Sequence, residues 1–250
     1  MSKGEIRSSA ILTEVSGAGK PGRAAARIKS IEMAQEIEIK LRISDQKELK
    51  RALKRLGARP VGRRSGRVHE WNVIFDTREG GLAKHGQLLR IRTETPAAKS
   101  RKSKSASGRR TLLTFKRPLV DGASPSGSVQ ENHRHKVREE FELEVTDAAV
   151  LTTIFEGLGM RGRFRYEKYR TTFRLPTASN WAKGLLVELD ETPIGTFVEL
   201  EGPPAAIDRA AQELGFTQRD YIVQNYRALY VAECRRLSQE PRDMVFAAKK

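Results

Sequence analysis

Acidic residues recur in pairs at a spacing of two: Glu36/Glu38, Glu140/Glu142, Glu188/Asp190 and Glu199/Glu201. In an extended strand, residues two apart share a face and start about 7 Å apart. Like charges so placed repel one another. Pairs of this kind make chemical sense where cations sit among them. Carboxylate oxygens suit hard divalent ions, so Mg²⁺ or Mn²⁺ is the expected species. A second set is basic: Arg90, Arg92, Lys116, Arg138, Lys168 and Arg170, with Lys40 next to the first acidic pair. Arg offers a planar fork that fits phosphate oxygens, and Lys a compact charge. Acids for metal and bases for phosphate are the two halves of a metal–polyphosphate site.

These residues fall on strand-like runs. Alternation predicts strands over 36–43, 73–76, 88–93, 112–116, 136–145, 165–175, 185–191 and 196–201. Each run sorts its side chains by face. Glu36, Glu38, Lys40 and Arg42 oppose Ile37, Ile39, Leu41 and Ile43. Arg138, Glu140, Glu142 and Glu144 oppose Val137, Phe141, Leu143 and Val145. Two arrangements satisfy the pattern. One is an amphipathic sheet with a solvated charged side. The other is a barrel with the charges inside and helices over an apolar outside, the inverse of the usual small barrel.

Four helices fit around the strands. Ser44 can cap one carrying Leu49, Leu53 and Leu56, with Gly57 as its stop. Thr146 can cap one carrying Leu151, Ile154, Phe155 and Leu158, ending at Gly159. Pro203 suits the first turn of a third, carrying Ile207, Ala211 and Leu214 and stopped at Gly215. The last spans 221–237, with Tyr226, Leu229 and Tyr230 on one side.

The chain of 250 residues carries a formal net charge of +16, with 38% hydrophobic and 31% charged residues. Much of the excess lies in residues 1–32, 97–110 and 235–250. The first and last of these read as tails: 1–33 as a disordered basic tail and 238–250 as a C-terminal tail, flanking a domain over 34–237. Met33 stands where a shorter chain would start. Residues 97–110 and 121–135 read as polar, low-complexity loops. The basic loop reads as solvated, since blocks of like charge rarely pack. Cys234 is the lone cysteine, so no intrachain disulfide can form. No apolar run nears the roughly 20 residues that span a bilayer, and no secretory signal is evident. The expected location is cytoplasmic. His133 and His135 form an HxH pair in a loop without companion ligands, which reads as solvated rather than as a zinc site. Trp71 and Phe75 read as core, near Asn72 and Asp76.

The order of these runs carries a resemblance. Glu36-Ile37-Glu38-Ile39-Lys40 resembles the ExExK signature that opens CYTH domains. Leu89-Arg90-Ile91-Arg92 is similar to the family's LRIR strand, and Leu113-Thr114-Phe115-Lys116 to its LTYK strand. Arg138, Glu140 and Glu142 resemble its RxExE strand, and Lys168 and Arg170 its KxR strand. Glu188-Leu189-Asp190, followed by Gly195-Thr196-Phe197-Val198-Glu199-Leu200-Glu201, resembles the terminal LD…GxFxExE block. The long segment before Glu36 and the basic loop 97–110 depart from the pattern.

The resemblance implies an α+β fold: a closed, eight-stranded antiparallel β-barrel, a triphosphate tunnel, with helices packed outside. It implies that Glu36, Glu38, Glu199 and Glu201 ligate Mg²⁺ or Mn²⁺, with Glu140, Glu142 and Asp190 close by. Lys40, Arg90, Arg92, Lys116, Arg138, Lys168 and Arg170 would hold the phosphates. Glu38, Lys40 and Glu201 are the expected catalytic residues. The implied substrate is a triphosphate such as tripolyphosphate, thiamine triphosphate or ATP. Hydrolysis is the favoured reaction, with cyclisation of ATP to cyclic AMP as the alternative. A non-catalytic barrel binding polyphosphate or nucleic acid is the second alternative. Nucleic acid is disfavoured, because the acidic pairs would repel a phosphate backbone. A monomer or homodimer is expected.

Overall fold

The computed structural model describes residues 32–61, 66–97, 108–119, 134–176 and 178–247. Most of the expected N-terminal tail, the centre of the basic loop, and His133 lie outside the described residues.

Eight long strands are described: β1 (Glu32–Ile43), β3 (Arg67–Asp76), β4 (Leu88–Pro96), β5 (Arg110–Arg117), β6 (Lys136–Val145), β7 (Arg161–Arg174), β8 (Leu186–Thr192) and β9 (Gly195–Glu201). They pair antiparallel in the order β7-β3-β4-β5-β6-β1-β9-β8, and β8 returns to β7 to close the barrel. A two-residue strand, β2 (Arg59–Pro60), is appended to β7. The register sets the charged faces side by side: Glu38 lies opposite Glu201, Lys40 opposite Glu199, and Glu36 opposite Arg138.

The apolar faces point outward, under helices. Ile39, Leu41, Val187, Leu189, Val198 and Leu200 form one buried cluster with α1 (Gln46–Arg55) and α4 (Pro204–Glu213), through Leu49, Leu53, Ile207 and Ala211. Phe75, Leu89 and Ile91 form another with Phe155 of α3 (Ala148–Gly157). The barrel is thus the inverted one, and the solvated-sheet alternative fails. Burying the outer faces is favourable at about 25 cal/mol per Å² of apolar surface.

The helix starts differ slightly from expectation. Asp45 caps α1, its carboxylate accepting from the amides of Lys47 and Glu48, and Asp147 caps α3 in the same way. In both places two capping residues stand in tandem, and the ionised one takes the orphan amides. Gly57, at φ 68°, ends α1 in the left-handed conformation that glycine permits. α2 (Gly81–Lys84) is a single turn before β4. α5 (Tyr226–Arg236) is capped by Asn225 and starts no earlier because residues 218–220 make a 3₁₀ turn and Ile222 bridges to Lys40.

Beyond α5 (Tyr226–Arg236), the chain returns to the barrel. Met244 is 1% exposed and pairs with Tyr166, and the Phe246 amide donates to Glu167. Much of the segment expected as a C-terminal tail is therefore a strap on β7. Trp71, expected in the core, is 38% exposed, while Phe75 is buried. No helix among the described residues is long and apolar enough to cross a membrane.

Candidate active site

The inward faces converge on a cavity of about 380 Å³. Every basic residue singled out in the sequence lines it: Lys40, Arg90, Arg92, Lys116, Arg138, Lys168 and Arg170. So do Glu36, Glu38, Glu140, Glu142, Glu199 and Glu201. Asp190 does not line the cavity. It is fully buried behind the wall, where it accepts from Lys168 Nζ, Arg170 Nε and Nη2, and the Tyr226 hydroxyl, each at 2.7 Å. Two residues at strand ends leave the charged interior. Arg42 donates to the Ile194 carbonyl and stacks on Phe197, and Glu144 sits outside beside Arg110.

Sequence reasoning missed several wall residues. Glu70 is 1% exposed and lies within 4 Å of Lys168, Arg170 and Arg92. Burial works against its ionisation, but these three cations outweigh it and bring its carboxyl down to about 2. Glu70 escaped notice because the expected strand began at 73, whereas β3 begins at Arg67. Lys136 was legible, since it shares a face with Arg138; it pairs with Glu38. Tyr166 accepts from Arg90 at 3.0 Å, and Arg90 also donates to Thr114. Tyr226 lies with its ring centroid 5.5 Å from Lys40 Nζ and 5.1 Å from Lys168 Nζ. Aromatic faces attract cations at such distances.

The acids differ in their surroundings. Glu36 accepts from Lys116 through both oxygens, at 2.6 and 2.7 Å. Glu38 meets Lys40 and Lys136, and Glu199 meets Lys40 and Arg170. Burial opposes the charge on Glu38 and Glu199, yet Lys40 holds both carboxyls below the usual range. Glu201 has neither an ion pair nor a hydrogen bond among the described residues. Burial first, then Glu188 and Glu36, push its carboxyl up to about 8. Glu188 rises to about 7, chiefly through burial, with Glu199 and Asp190 adding to it against the pull of Arg170.

This donor chemistry bears on the expected metal. Among the described residues, no three His, Cys, Asp or Glu side chains converge tightly enough to hold an ion, because lysines stand between the glutamates. The donors still fit a hard divalent cation. They are all carboxylate oxygens, they crowd around Glu201, and their mutual repulsion is what a cation relieves. Among the described residues, Nε of Arg90, which lines the cavity, and both amide atoms of the buried Asn72 have no hydrogen bond. Buried polar groups are ordinarily satisfied, so the free Nε of Arg90 suits a polar occupant of the cavity.

A comparison with family models matches the CYTH domain over residues 34–224. The chain belongs to the CYTH family. CYTH members are triphosphate-processing enzymes, and their tunnels use divalent metals. No curated protein shows a significant match to the chain. Solved structures share the CYTH fold at low identity. A proposed adenylate cyclase from Vibrio parahaemolyticus has a TM-score of 0.55 at 16% identity, covering 79% of this chain and 98% of that one. The PH1819 protein of Pyrococcus horikoshii OT3 has a TM-score of 0.58 at 19% identity, covering 79% and 99%. PH1012 from the same organism has a TM-score of 0.54 at 22% identity, covering 76% and 96%. The CYTH match ends before Tyr226, so α5 lies beyond it while still supplying Tyr226 and Arg227 to the cavity lining.

Proposed function

We propose that this CYTH protein hydrolyses a triphosphate in a reaction that requires Mg²⁺ or Mn²⁺. The observation that carries the reading is the convergence of eight basic and seven acidic strand residues on one walled cavity. Phosphoryl transfer needs positioning and charge neutralisation more than covalent help from the protein. Lys40, Lys116, Arg90, Arg92, Arg138, Lys168 and Arg170 would bind the phosphate oxygens. Arg90 is already oriented by Tyr166 and Thr114, and Lys168 and Arg170 by Asp190. Such preorganised cations need little rearrangement on binding.

Glu36, Glu38, Glu199 and Glu201 would hold the metal, with Glu140 and Glu142 nearby. A bound divalent ion polarises the phosphate and lowers the pKa of a coordinated water. A triphosphate engaging Lys40 and Lys116 would free Glu36, Glu38 and Glu199 from the ion pairs those lysines now make, leaving the carboxylates available to hold the ion. Asp190 has its oxygens occupied by four donors, so its role is to position Lys168 and Arg170 rather than to ligate.

Hydrolysis is favoured over cyclisation because, among the described residues, the aromatic rings that line the cavity are not free to stack on a base. Tyr166 and Tyr226 are buried and hold their hydroxyls on Arg90 and Asp190. The test is to incubate the protein with tripolyphosphate, thiamine triphosphate and ATP, each with Mg²⁺ or Mn²⁺, and to separate the products. Orthophosphate release that stops on chelation is expected. Cyclic AMP with pyrophosphate as the main product would replace hydrolysis by cyclisation. Binding without turnover would leave a polyphosphate-binding barrel.

A further inference from the structure

The outward face of α1 is a block of unpaired positive charge. Lys47, Lys50, Arg51, Lys54 and Arg55 are all exposed, and Glu48 is the one acid within the helix. With about 3.6 residues per turn, the five cations share an arc of roughly 140°. Leu49, Ala52 and Leu53 are buried on the opposite side. Among the described residues, none of the five side chains makes an ion pair or a hydrogen bond. Asp45 turns its carboxylate to the amides of Lys47 and Glu48. The other surface helices behave differently: Arg209 of α4 pairs with Glu213, and Arg236 of α5 with Glu233.

Such a block costs helix stability. Lys47 and Arg51, Lys50 and Lys54, and Arg51 and Arg55 stand four apart, where side chains are neighbours and like charges repel. Lys54 and Arg55 suit the negative end of the helix dipole, but Lys47 lies in the first turn, where a cation is unfavourable. A ligand that is anionic along its whole length relieves all of these repulsions. Its class follows from what the face lacks. No aromatic or aliphatic side chain stands among the cations, so the face offers neither an anchor for a protein partner nor a platform for unpaired bases. The apolar residues of α1 are committed to the barrel, which leaves none to insert into a bilayer. A regular row of phosphates is what fits. The 10 residues of α1 span about 15 Å. One strand of a duplex sets a phosphate roughly every 3.4 Å along its axis, so about four phosphates fall alongside the helix.

We propose that the outward face of α1 docks the phosphate backbone of duplex nucleic acid, without reading its sequence. The acidic pairs that argue against nucleic acid line the lumen, and α1 lies outside it. The formal net charge of +16 draws a polyanion toward the chain, and α1 supplies the seat. The inference stands apart from the triphosphatase reading, since no α1 residue lines the tunnel.

The experiment titrates a fluorescently labelled, mixed-sequence DNA duplex with the full-length protein and follows anisotropy over a salt series. The variant is Lys50→Gln with Lys54→Gln. Its control is Arg78→Gln with Lys84→Gln, which removes the same charge from exposed positions between β3 and β4, across the barrel from β1 and β9. All four side chains are exposed, so the fold and the tunnel stay intact. For the wild type, log Kd is expected to rise by about 3–4 per tenfold rise in salt, close to one unit for each phosphate neutralised. The α1 variant should bind at least about tenfold more weakly at low salt, with a slope shallower by about two. The control should keep the wild-type slope. Absence of duplex binding by the wild type, an α1 variant with an unchanged slope, or a control that loses as much overturns the inference. So does binding to phosphatidylserine vesicles that the α1 variant abolishes while duplex binding persists, which would assign the face to a membrane surface. Turnover of tripolyphosphate in the same samples reports separately on the tunnel.

Discussion

Asp190 on β8 and Glu201 on the neighbouring β9 are both carboxylates of the barrel, and their surroundings are opposite. Around Asp190, two cations and a tyrosine hydroxyl close over the oxygens, and Glu70 adds a second acid to the same buried network. Around Glu201, the neighbours that matter most are other acids, Glu188 and Glu36, with Lys116 a weaker counterweight. One region is electrostatically complete, and the other is not. A buried charge without a partner is costly, so the incomplete region is the one a ligand must finish. The complete region holds Lys168 and Arg170, the side chains proposed to bind phosphate. The difference separates scaffold from site within a single ring of charged strands.

The largest expected effect breaks this contrast on the incomplete side. Glu201→Gln should lower metal-dependent triphosphate turnover by about 10²-fold or more, measured as orthophosphate release. Its melting temperature without metal should hold or rise, since burial, Glu188 and Glu36 already disfavour a charge at this position. A fall in stability with activity intact would reverse the assignment. Next in size, Asp190→Asn should destabilise the protein by about 3–5 kcal/mol, the cost of opening a buried ion-pair network, seen in denaturant unfolding. A neutral result there would remove the scaffold role. Arg90→Ala should raise KM for tripolyphosphate about tenfold, the scale of a lost charge-assisted hydrogen bond. An unchanged rate at limiting substrate would take Arg90 away from the phosphates. The smallest effect should come from Tyr166→Phe, which frees Arg90 to move. It should cost about 1 kcal/mol of stability and raise KM less than Arg90→Ala does.

The barrel was legible in the sequence because its strands alternate strictly, charge against aliphatic, as in Glu36 to Ile43. That alternation gives each strand's two faces but not which face is inside. The CYTH-like motif order resolved this, and the outer cover of α1 and α4 shows it in packing terms. The first half of β3 was illegible for a physical reason. Its outer face carries Arg67, His69 and Trp71, so Val68, Glu70 and Asn72 beneath show no apolar-against-charged rhythm. His69 and Arg67 are held by Glu167 and Glu191 rather than by a helix. Tyr226 was visible as an α5 residue, but its contact with Asp190 depends on how the helix docks, which no local pattern encodes. The strap at Met244 was hidden likewise, by a polar stretch whose few apolar residues find β7 through tertiary pairing.

The central claim is that the glutamates of β1 and β9 and the bases around them take a metal-bound triphosphate inside the barrel. Crystals grown with Mn²⁺ and tripolyphosphate, measured at the manganese absorption edge, test it directly. The account predicts anomalous density within the barrel beside Glu199 and Glu201, with phosphate density against Arg90, Lys116 and Arg170. Manganese found only on the outer surface, with the lumen holding nothing but solvent, would contradict it.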